Sequence, residues 1–86
     1  MKTKTEILDE SANITVINDG QVQYPVLTAE LDSWIATNGE ITVANYEQFC
    51  DQVDYLGAQI STPGNAEMIE LCADLIEMGA STKRPG

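Results

Sequence analysis

The chain contains no histidine, and between Thr5 and Thr82 it contains no lysine or arginine either. Lacking histidine, it has neither the commonest general base nor the commonest metal ligand, and no side chain that ordinarily titrates near neutral pH. Two cysteines, Cys50 and Cys72, are too few for a disulfide framework and lie far from any Cys-x-x-Cys spacing. Both fall on apolar helix faces, where core packing is the expected role and a helix-to-helix disulfide the alternative. No apolar run approaches the roughly 20 residues of a membrane span. The basic start Met1-Lys2-Thr3-Lys4 is not followed by the apolar stretch of a secretory signal. A cytoplasmic protein is the expectation.

What is present is acid. The 86 residues carry 14 acidic and 4 basic side chains, for a net charge of -10. All four bases sit at the ends, as Lys2, Lys4, Lys83 and Arg84, and every acid lies between Glu6 and Glu77. The body must therefore tolerate its own repulsion, and its salt bridges can come only from its tails. An apolar share of 43% is ordinary for a globular protein and too high for a disordered one. The length suits a single domain, with residues 1–5 and 80–86 as flexible tails.

Ile14-Thr15-Val16-Ile17 and the alternating Val22, Tyr24 and Val26 flank Asn18-Asp19-Gly20, whose residues accept the conformations of a tight turn. The pattern predicts a β-hairpin over 13–26. Pro25 places its strand at an edge. Glu6-Ile7-Leu8 reads as a possible third strand. Thr28 reads as the N-cap of a helix carrying Leu27, Leu31, Trp34 and Ile35, which Asn38-Gly39 ends. A second helix, capped by Thr42 or Asn45, has Tyr46, Phe49, Cys50, Val53 and Leu56 as its apolar face and continues past Gly57 to Ile60. After a Ser61–Asn65 loop, a third helix spans about 65–78. Met68, Cys72, Leu75 and Ile76 form its buried stripe, widened by Ile69 and Leu71, and Gly79 stops it. The expected fold is α+β, a hairpin packed on three helices.

Steps of 3, 4 and 3 place Glu67, Glu70, Asp74 and Glu77 on one face of the third helix, and Glu47, Asp51 and Asp54 share a face of the second. With a rise of 1.5 Å per residue, each row has a carboxylate about every 5 Å, a scale similar to the phosphates of one duplex strand. Two such rows on neighbouring helices would present a nucleic-acid-like surface to a basic groove. These seven residues are the candidate partner-binding set. A solvated face explains acids in general but ordinarily mixes both signs, and adaptation to high salt also favours acidic surfaces. Asp51 with Asp54, or Glu67 with Glu70, could form a carboxylate pair. No Gly-rich phosphate loop, Ser/His/Asp set or calcium loop accompanies them. The reading is of a protein that is not an enzyme, has no cofactor or metal, and binds neither nucleic acid nor membrane directly. Its expected partner is a basic protein surface, such as that of a nucleic-acid-binding protein.

Three resemblances bear on this. Leu31-Asp32-Ser33-Trp34 resembles the phosphopantetheine attachment site of acyl carrier proteins, but the upstream hairpin and Asn38-Gly39 do not fit that four-helix fold. A hairpin followed by three helices, with Tyr24, then Leu27 to Gly39, then Thr42-Val43, resembles the peptide-recognition domains of peptide-modifying systems. That layout implies a leader peptide added as a strand on the hairpin edge. The charge pattern is similar to that of small phage-encoded inhibitors of host defence, including anti-CRISPR and DNA-mimic proteins. This implies a stoichiometric inhibitor or adaptor. A structural component of a larger assembly, such as a virion, is the remaining alternative.

Overall fold

A computed structural model describes residues 3–20, 22–53, 56 and 65–86. The order is α1 (Lys4–Asp9), a 3-10 turn (Ser11–Asn13), β1 (Ile14–Asn18), β2 (Gln23–Leu27), α2 (Thr28–Asn38), α3 (Tyr46–Gln52), α4 (Asn65–Glu77) and β3 (Ser81–Lys83). The fold is α+β, a three-stranded sheet with four helices packed against it.

The hairpin forms because its turn is locally satisfied. Gly20 takes φ 91°, and its N–H donates to Asn18 Oδ1 at 2.9 Å. The Val22 N–H donates to Asp19 Oδ1 at 2.5 Å, which leaves Val22 in the turn and 53% exposed, outside β2. β1 and β2 pair antiparallel, from Ile14 with Leu27 to Asn18 with Gln23. The sheet order β2-β1-β3 leaves β2, with Pro25, at an edge.

The third strand is not the expected one. Glu6-Ile7-Leu8 lies in helix α1, started by Thr3, whose hydroxyl accepts the Glu6 N–H at 3.2 Å. The strand comes instead from the C-terminal segment expected to be a flexible tail. There β3 pairs parallel with β1, Ser81 opposite Thr15 through Lys83 opposite Ile17. Beyond it the Gly86 N–H donates to the Ile41 carbonyl at 3.2 Å.

Alternation along β1 sets the layers. Ile14 and Val16 join a core with Ile7 of α1 and with Met68, Leu71, Cys72 and Leu75 of α4. Ile17 points the other way, into a core with Leu31 and Trp34 of α2 and Phe49 of α3. The sheet is thus covered on both faces, α1 and α4 on one and α2 and α3 on the other. That is why Ile14 to Ile17 are all buried. The buried Thr15 hydroxyl is satisfied by Thr28, 2.8 Å away. Thr28 is therefore the first residue of α2 and not its cap, which is Leu27 with no side-chain capping bond.

At the start of α3, Asn45 occupies the cap position without capping through its side chain. Its Oδ1 accepts the Thr42 N–H at 2.6 Å, and the Thr42 hydroxyl accepts the Asn45 N–H at 3.3 Å. α3 stops at Gln52 rather than running on through Leu56. The Tyr24 hydroxyl donates toward the carbonyls of Cys50 and Val53, and Val53 is extended. The expected continuation through 57–60 and the loop at 61–64 lie outside the described residues. α4 ends as expected at Gly79, φ 109°. Its buried stripe is Met68, Leu71, Cys72 and Leu75, whereas Ile69 is 60% and Ile76 39% exposed.

Candidate partner-binding faces

Glu47 and Asp51 are exposed on α3, and Glu67, Glu70 and Glu77 are exposed on α4 with Asp74 half-buried. Asp54, the last member of the α3 row, lies outside the described residues. The α4 row turns away from the core, as its spacing requires. The two rows are not neighbours, however. α3 covers one face of the sheet and α4 the other, so the sheet stands between them and no single flat surface can meet both. The expectation of a paired strip is corrected to two separate ones.

The bases refine the picture. Lys4 Nζ lies 3.2 Å from Asp74 Oδ2 and 3.8 Å from Glu70 Oε1, bracing α1 against the middle of the α4 row. The hydrogen bond with Asp74 holds the Lys4 ammonium above its ordinary pKa of 10.5. Lys83 reaches Glu40 at 3.3 Å. These contacts are solvated, and water screens them, so they add little to stability. Glu67 and Glu77, at the two ends of the row, are in neither of the Lys4 contacts.

None of α1 to α4 has a basic residue in its last turn. Glu77 sits in the last turn of α4, where the helix dipole favours a cation and an acid costs about 0.3–1 kcal/mol. The acid at this position works against the fold.

Glu47 also borders a cleft of about 550 Å³ between the Asn18–Gly20 turn, Val43, Tyr46 and the Arg84-Pro85 segment. Arg84 brings a positive charge to its wall, so the cleft mixes signs. The Tyr46 hydroxyl oxygen is shut off from solvent beside the Cys50 thiol. Burial first, then Cys50, pushes its pKa up, and burial also raises that of Cys50. Burial pushes Cys72 up to about 11. These groups stay protonated at neutral pH. Cys50 and Cys72 are free, and they belong to opposite sides of the sheet.

Among the described residues, no three His, Cys, Asp or Glu side chains are placed to hold a metal, and no helix is long and apolar enough to cross a membrane. No family model, curated protein or solved structure matches the chain.

Sequence reasoning missed the apolar half of the outer α4 surface. Ile69 and Ile76 read as core because they flank Cys72. Their positions on a helical wheel, about 90–110° from the centre of the buried stripe, were the available signal.

Proposed function

We propose that the protein is a non-enzymatic inhibitor or adaptor that places the acidic face of α4 on a basic, nucleic-acid-binding surface of another protein. A DNA-mimic, anti-defence role of the anti-CRISPR kind is the form of this reading that fits the charge pattern best. The observation that carries it is the row Glu67, Glu70, Asp74 and Glu77 on a helix whose opposite face is seated in the core. Within that row Glu77 carries the acid to the C-terminal turn of the helix, so the row runs the length of α4. Association driven this way is fast, steered and weakened by salt.

The α3 row faces the other way, and the partner need not touch it. A peptide added as a strand on the β2 edge is a weaker reading, because Pro25 supplies no N–H to such a ladder.

The test is capture from a candidate host lysate at roughly 0.05 M and roughly 0.5 M salt, across which the Debye length shrinks severalfold. Wild-type protein should retain a nucleic-acid-binding protein at low salt and release it at high salt. Glu67→Lys/Glu77→Lys should fail to retain it, with far-UV circular dichroism unchanged. Glu70 and Asp74 are less suitable targets, because reversing them would also repel Lys4. Equal retention by the doubly reversed protein, or retention indifferent to salt, would remove the acidic face from the contact.

A further inference from the structure

The outward surface of α4 is not only acidic. At about 100° per residue, the helix divides into three lengthwise sectors. Met68, Leu71, Cys72 and Leu75 point into the core. The acids occupy the sector on the α1 side, where Lys4 meets Glu70 and Asp74. Between that row and the far margin of the buried stripe run Ala66, Ile69, Ala73 and Ile76, all exposed. Ile69 at 60% exposure and Ile76 at 39% stand two turns apart with Ala73 between them. Isolated exposed isoleucines are unremarked on a protein surface, but two in register beside a row of carboxylates make one two-sided strip. Ala73 leaves a low point between the isoleucines and Ala66 another before Ile69, where ridges of another helix could sit.

We infer that this strip docks a cationic amphipathic helix of the partner, its apolar edge on Ile69, Ala73 and Ile76 and its lysines or arginines along Glu67 to Glu77. Charge selects this occupant. A second copy of the chain carries the same net charge of -10 and would set one acidic row against another. Anionic lipid is repelled for the same reason. The helix of 13 residues offers about 20 Å of contact, enough for three to four turns of a partner helix. The inference rests on the acidic-face reading and adds the partner's secondary structure and its apolar side.

The probes are two synthetic peptides of equal composition, one with leucine and lysine at helical spacing and one scrambled so that no apolar face forms. At roughly 0.15 M salt, the ordered peptide should bind wild-type protein about tenfold tighter than the scrambled one, a difference of about 1.4 kcal/mol. Ile69→Gln/Ile76→Gln, at exposed positions, should leave the melting temperature unchanged and erase that preference. Glu67→Lys/Glu77→Lys should weaken both peptides alike. Equal binding of the two peptides to wild type, or a preference that survives in the glutamine variant, overturns the inference while leaving the acidic-face reading intact. Unchanged binding of both peptides to the doubly reversed variant overturns that reading itself. Self-association that the glutamine substitutions abolish, without any peptide preference, would assign the strip to a second copy and also overturn the inference.

Discussion

Phe49→Ala should remove a large share of this domain's stability, at a cost of about 3–5 kcal/mol. Phe49 has no exposed surface, and three other aromatic rings close around it. Its ring centroid lies 5.4 Å from Trp34 in an edge-on arrangement, 5.6 Å from Tyr24 and 6.4 Å from Tyr46. Such pairs contribute beyond simple area burial. The ring therefore joins α2, α3 and β2 on one side of the sheet. Truncation leaves a cavity that rigid neighbours cannot fill, and it loosens Tyr24, whose hydroxyl ends α3. For 86 residues, a total stability of about 4–13 kcal/mol is ordinary, so a loss of this size is a large share. Urea unfolding followed by Trp34 fluorescence measures it. A midpoint equal to wild type would mean that Phe49 does not organise this half of the core.

Removing residues 81–86 should be nearly as damaging, although these residues are mostly polar and exposed. The truncation deletes β3, strips the pairing from the far side of β1 and turns the central strand into an open edge. It also removes the Lys83 contact to Glu40 and the bond from Gly86 to Ile41. Two to four hydrogen bonds at about 1 kcal/mol each suggest a loss of about 2–4 kcal/mol. For a domain of this size, that lowers the melting temperature by about 10–20 °C. A mobile tail would give no shift. A thermal melt of the truncated chain decides between them.

These two cases mark where sequence was legible and where it was not. The hairpin was readable because Asn18, Asp19 and Gly20 satisfy their own turn within a few residues. The ends of α2 and α4 were readable because Gly39 and Gly79 take the positive φ that stops a helix. Features decided at a distance were not. Ser81-Thr82-Lys83 has no apolar alternation, and only the open side of β1 makes it a strand. α3 ends where it does because Tyr24, 26 residues before Cys50, reaches its last carbonyls. For α1 a local signal did exist, the Thr3-x-x-Glu6 spacing of a helix start.

The candidate site shows the same division. Periodicity placed Glu67, Glu70, Asp74 and Glu77 together on α4, where the structure has them. It could not say that Glu47 and Asp51 lie across a sheet from them, because that depends on which face of β1 each helix covers. The clue was the unbroken run Ile14-Thr15-Val16-Ile17, which suits a strand buried on both sides better than one facing water.

The most direct test is carboxylate footprinting. The protein is labelled with a carbodiimide and an amine, alone and in complex with its captured partner, and modification is read residue by residue. Strong protection is expected at Glu67, Glu70, Asp74 and Glu77, with Glu47 and Asp51 labelled as in the free protein. Protection confined to the α3 side or to the β2 edge, with the α4 row still fully labelled, would contradict an acidic α4 docking face.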